Sequence, residues 1–139
     1  ADIKEMIDVF KTYGEERYAK RIATIICQKR AEHPITTTSA LAEIVKDAHP
    51  NWPTNKHPAT KVFQAIRIYI NRELDDLVLF LEQAVALLAS KGRLAIMSFH
   101  SLEDKKVKQF FKKQCDGIKP PKGVPVLEKD IKRTMRLVG

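Results

Sequence analysis

Ser98, His100 and Ser101 stand almost side by side in "GRLAIMSFHSLED", residues 92–104. Hydroxyls and imidazole can each donate and accept hydrogen bonds, which suits the polar edge of a base or a ribose. The trio closes a continuous apolar run and opens a charged segment. No G-x-S-x-G elbow surrounds either serine, so a hydrolase nucleophile is not indicated. Glu103 and Asp104 beside His100 match no metal spacing and have ordinary roles at a helix start. No metal site is expected. The competing structural role for the trio is a helix cap plus a histidine satisfied by backbone.

Arg67 and Asn71 form a second polar pair, one helical turn apart in "FQAIRIYINREL". Their apolar neighbours place them near a buried side, where an arginine needs an anion or a hydrogen-bonded partner, for instance Glu73. The five glycines, at positions 14, 92, 117, 123 and 139, build neither G-x-G-x-x-G nor a Walker loop. No cofactor-binding residue is therefore assigned within the chain. His33, His49 and His57 lie near prolines and read as surface histidines.

Charge points to a polyanion. The net charge is +8, yet residues 1–104 hold 14 Lys/Arg against 14 Asp/Glu, while residues 105–139 hold 11 against 3. A local positive field attracts nucleic acid and speeds encounter with it. Lys105, Lys106, Lys108, Lys112 and Lys113 are the candidates for contact with the backbone of such a polyanion. A solvated basic tail is the alternative.

These groups need elements to position them. Asp2 reads as an N-cap with Glu5 completing a capping box, ahead of Ile3, Met6, Ile7 and Phe10 at helical spacing. Gly14 stops that helix. A second helix is read over residues 15–31, with Tyr18, Ile22, Ile25 and Ile26 inward, and Pro34 ends it. "ITTTSALAEIVKDAHP" is a third, capped by a threonine and burying Leu41, Ile44, Val45 and Ala48. The proline-rich "HPNWPTNKHP" is a loop pinned by Trp52. Phe63, Ile66, Ile70, Leu74, Leu77, Leu81, Val85 and Leu88 then mark one helix over residues 59–89, about 45 Å long at ~1.5 Å per residue. "RLAIMSF" is too short for a helix and reads as a strand over residues 94–99 covered on both faces, as in a parallel sheet. Ser101 and Asp104 offer a capping pair for a helix carrying Val107, Phe110 and Phe111. A short helix is read within residues 127–139. A single parallel strand leaves both edges unpaired, so it must pair with another chain or with residues outside this sequence.

With 139 residues and 44% hydrophobic composition, a folded core is expected. No apolar run approaches the ~20 residues that cross a bilayer, so no membrane partner is expected. The acidic start has no signal-peptide pattern, and Cys27 and Cys115 lack CxxC spacing, so a cytoplasmic protein with reduced thiols is expected. "TTTSALAEIVKDA" followed by "HPATKVFQAIRIYI" has a helix-turn-helix look. Its connection is too long and its second helix too apolar to lie in a groove.

Three blocks, "YGEERYAKRIA", "HPATKVFQAIRIYINREL" and "GRLAIMSFHSLEDKKVKQFF", resemble the bacterial ribosomal RNA small-subunit methyltransferase H family, also called MraW, in the same order and over nearly the whole chain. The resemblance implies an S-adenosylmethionine-dependent enzyme that methylates the exocyclic amine (N4) of a cytidine in small-subunit ribosomal RNA. It implies an α/β fold, mostly α in this stretch: a Rossmann-like methyltransferase with a helical insertion. Residues 1–57 would be the inserted domain that helps to recognise RNA, and residues 58–139 the late helix-strand-helix part of the catalytic domain. Ser98, Phe99, His100 and Ser101 match a block near the substrate pocket, without an assigned catalytic role. The family's glycine-rich cofactor loop and adenosylmethionine-holding acids lie upstream of the matched stretch. The chain is therefore expected to be a fragment and inactive alone. The alternative is a non-catalytic RNA-binding or ribosome-assembly module.

Overall fold

The computed structural model describes residues 1–50, 57–117 and 133–138. Trp52 and most of the helix read at 127–139 lie outside them; residues 133–138 have no regular structure. The described residues form six helices: α1 Ile3–Thr12, α2 Ala19–Glu32, α3 Thr38–Ala48, α4 Thr60–Asn71, α5 Glu73–Leu87 and α6 Ser101–Asp116. They divide into two compact units, Ala1–Arg72 and Glu73–Gly139.

In the first unit α2 packs against α1 and α3, and α1 packs against α4. Asp2 Oδ1 accepts the Glu5 N–H at 2.7 Å, so α1 starts where its cap predicts. Glu5 does not reach back to complete the box; its Oε1 accepts from the Tyr69 hydroxyl of α4 at 2.7 Å. Met6, Val9 and Phe10 of α1 meet Ala19, Ile22, Ala23 and Ile26 of α2, with Val45, Ala48, Val62 and Ala65 completing the core. Each large side chain buried there contributes about 1.5–3 kcal/mol. Gly14 is more than a stop signal. A Cβ there would lie 2.7 Å from the Lys61 and Phe10 carbonyl oxygens and 3.2 Å from Ala65 Cβ, so its bare backbone admits α4.

Helix α2 begins at Ala19 rather than at residue 15. The chain first makes a turn in which Glu15 takes φ 47° and the Glu16 N–H bonds the Phe10 carbonyl. Glu16 is buried at 3% exposure, and its Oε1 accepts the Tyr18 N–H at 2.8 Å. Helix α3 is capped by Thr37, whose hydroxyl accepts the Ala40 N–H at 3.2 Å.

The single helix expected over residues 59–89 is two. Arg72 adopts the left-handed conformation (φ 54°, ψ 32°) and ends α4. Glu73, Asp75 and Asp76 then load the first turn of α5 with negative charge, which favours a helix N-terminus. The buried stripe changes phase across the break. Val62, Ala65 and Ile68 face inward on α4, leaving Ile70 exposed, and Leu74, Leu81 and Ala84 face inward on α5.

The expected strand over residues 94–99 is also corrected. Among the described residues there is no strand, and 93–98 run without regular structure. Positions 94, 96, 98 and 100 are half-buried while 93, 95, 97 and 99 are exposed, the alternation of an extended chain covered on one face. A strand exists only through a ladder to neighbouring backbone. Packed helices α5 and α6 offer none, because their amide groups are spent internally. The second unit consequently leaves large side chains open: Phe99 is 87% exposed, Leu87 84% and Met97 80%.

Candidate functional site

The polar block 98–101 is where the irregular segment enters α6. His100, not Ser101, is the N-cap: its backbone is extended (φ −142°, ψ 160°) and its Nδ1 accepts the Glu103 N–H at 3.4 Å. An accepting Nδ1 places the proton of neutral imidazole on Nε2. That atom is buried and lies 3.2 Å from Glu103 Oε1, off the alignment a hydrogen bond requires. Glu103 Oε2 accepts the Phe99 N–H at 3.1 Å. This is a variant of a capping box, shifted one residue from the Ser101–Asp104 pair that the sequence suggests, with imidazole in place of a hydroxyl and with the return bond made to the N–H of Phe99, one residue before the cap. Ser101 is the first helical residue and exposed, Ser98 is half-buried, and Asp104 pairs instead with Lys108 at 2.8 Å.

Glu73, at the start of α5, joins this corner. One ligand atom each from Glu73, His100 and Glu103 falls within 4.8 Å of the others. Their 27-residue separation hides the approach from sequence reasoning. His100 and Glu103 already serve the cap, and a cation is not needed to explain them.

Lys105, Lys106, Lys108, Lys112 and Lys113 are all exposed on α6, away from Val107, its buried residue. Lys108 is partly neutralised by Asp104, and Lys113 sits in the last turn, where a cation complements the helix dipole. Arg67 and Asn71 are both exposed on α4. The expectation that they stand near a buried side fails because the phase of the apolar stripe turns that side toward Val62, Ala65 and Ile68. They belong to the first unit and Ser98, His100 and Ser101 to the second. Cys27 and Cys115 are free thiols.

Two features escape a linear reading. Glu16 and His49 approach each other, with Oε1–Nε2 at 3.7 Å, and Tyr18 stands edge-on to the imidazole at 4.7 Å. His49 is thus a packed residue, not a surface one. Arg17, Tyr18, Lys20, Arg21, Thr24 and Ile25 line a groove of about 430 Å³. Lys20, Arg21, Thr24 and Ile25 come from the first two turns of α2, and Arg17 joins them from the turn that precedes it.

Comparison with known proteins gives the family in which this arrangement of helices occurs. The chain belongs to the MraW methylase family, whose model matches residues 1–139. It is 52% identical over its whole length to the ribosomal RNA small subunit methyltransferase H of Legionella pneumophila strain Corby, covering 45% of that protein. The protein of the same name from Chromohalobacter salexigens is 51% identical over 98% of the chain and 41% of its own length. That of Shewanella sediminis is 47% identical over the whole chain and 44% of its own length. The chain thus spans less than half the length of these relatives. Among the described residues no helix is long and apolar enough to cross a membrane.

Proposed function

We propose that this chain is part of an S-adenosylmethionine-dependent methyltransferase acting on the exocyclic amine (N4) of a cytidine in small-subunit ribosomal RNA. The observation that carries the reading is the unbroken match of residues 1–139 to one methylase family. The methyl donor brings an electrophilic methyl group to the reaction. Aligning the amine with it supplies much of the rate, so little acid–base machinery is required. What the protein must do is take the base from its stack and hold its polar edge. Ser98, His100 and Ser101 have the hydrogen-bonding groups for that grip, and the capping box fixes the backbone that carries them.

In this reading residues 1–57 are a helical insertion that contacts RNA, and residues 58–139 belong to a Rossmann-like catalytic domain. The extended segment 93–98 would take its ladder from strands outside this chain, which also accounts for its exposed Met97 and Phe99. Arg67, Asn71 and the α6 lysines would meet phosphates flanking the target. A cytoplasmic setting follows, because that is where small subunits assemble. The 139 residues alone would neither bind the cofactor nor transfer methyl.

Labelled adenosylmethionine, the complete enzyme and small subunits lacking the modification test the reading. Methyl label recovered in N4-methylcytidine supports it; label in another nucleoside overturns the substrate assignment. A non-catalytic assembly module is favoured if the complete protein binds subunits and transfers no methyl.

A further inference from the structure

The cations of the groove on α2 differ from several of their basic neighbours in the first unit. Lys29 is engaged with Glu32 at 3.3 Å, Lys46 with Glu43 at 3.7 Å, and Arg30 with the Ala1 carbonyl at 3.3 Å. Arg17, Lys20 and Arg21 are exposed, and among the described residues none of them pairs with a carboxylate. The nearest acid in sequence on the helix side, Glu16, is turned inward to Tyr18 and His49. Arg17 instead stands 5.9 Å from the Tyr18 ring centroid, a cation–π geometry. The floor between these cations is formed by half-buried Tyr18, Thr24 and Ile25. Helix α2, which carries Lys20 and Arg21, starts without a side-chain cap and without an acid in its first turn, so its N-terminal N–H groups are not already matched by a carboxylate of that turn.

Three cations around a partly apolar concavity of about 430 Å³ match one kind of ligand: an anion linked to a flat or apolar body. We propose that this groove seats a phosphodiester of single-stranded RNA, with Arg17, Lys20 and Arg21 on the phosphate and the adjoining nucleoside against Tyr18 and Ile25. The inference rests on the RNA reading above and adds to it a defined contact on the first unit. Double-stranded RNA fits less well, because a concavity of this size takes a nucleoside that is free of its partner.

The test uses the complete enzyme and a labelled single-stranded RNA of ~12 nucleotides, with affinity measured over a range of salt. Each phosphate neutralised on a single strand contributes about 0.7 to the log–log salt slope, so R17Q/K20Q/R21Q together, which release one phosphate, should flatten it by about 0.7 and weaken binding roughly severalfold at low salt. K29Q/R30Q on the same helix should leave the slope unchanged. Hydrogen–deuterium exchange of the unsubstituted protein gives a readout independent of the variants: RNA should protect peptides covering residues 15–26. Strong RNA binding with neither a changed slope nor protection there overturns the groove and leaves the methyltransferase reading standing. Absence of single-stranded RNA binding overturns the groove, whereas the methyl-transfer assay on assembled subunits decides the wider reading separately. Displacement of the RNA by polyglutamate at equal charge would make this a site for acidic protein and overturn the nucleotide assignment.

Discussion

His100 is where local structure and chemistry meet. Its imidazole closes the α6 cap through the Glu103 N–H, so H100A should cost about 1 kcal/mol in chemical denaturation. Asparagine is also a good N-cap, and H100N should recover most of that stability. If H100N remains deficient in methyl transfer while as stable as the unsubstituted enzyme, the imidazole contributes beyond the cap. Full activity in H100N would reduce it to a structural residue. Glu16 presents the opposite case, a buried carboxylate with a structural duty. E16A leaves the Tyr18 N–H and His49 facing an apolar gap and should cost about 2–3 kcal/mol by the same measurement. Tyr69 is held above its ordinary tyrosine value because its hydroxyl donates to Glu5, whose charge also opposes the phenolate. A folded-state value above the unfolded one means that this contact stabilises fully below the unfolded tyrosine value of ~10 and is lost as pH rises through the folded one. E5Q should bring the Tyr69 ultraviolet titration back toward ordinary tyrosine; an unmoved curve would contradict the assignment.

At the scale of elements, caps and periodicity were readable and partners in space were not. Asp2, the threonine before α3 and part of the apolar stripe of α1 were legible because each depends on neighbours within one or two turns; in that stripe Met6 and Phe10 are buried as read, whereas Ile3 is exposed and Val9 is buried in addition. The break at Arg72 carried a fainter mark, the acid-rich "RELDD", which was outweighed by an apolar repeat that continues across it. The 94–99 run misled for a different reason. Its composition suits a strand, yet strand formation depends on backbone that lies elsewhere in the chain or beyond it. Ser101 lost the cap to His100 because a histidine can accept a backbone N–H as a serine does, which general cap preferences underweight. Gly14 gives the sharpest test of packing at this scale. G14A forces a methyl against two backbone carbonyls between α1 and α4 and should destabilise by about 1–3 kcal/mol. A neutral result would mean that the two helices separate easily.

For the whole molecule, the candidate site was legible as chemistry but only partly as geometry. The Ser-Phe-His-Ser block and the basic α6 were visible in the sequence, whereas Glu73 beside His100 and the α2 groove depend on folding to bring residues together. The chain matches under half the length of its relatives, and its second unit exposes apolar side chains that a completed domain would cover. Adenosylmethionine titrated calorimetrically into these 139 residues should therefore give no binding heat, while the complete enzyme should bind it. The most direct measurement of the central claim is nucleoside mass spectrometry of small-subunit ribosomal RNA after reaction with the complete enzyme and labelled adenosylmethionine. The account predicts label in one N4-methylated cytidine, greatly reduced in H100A. Label-free ribosomal RNA from an enzyme that demonstrably binds its methyl donor would contradict it.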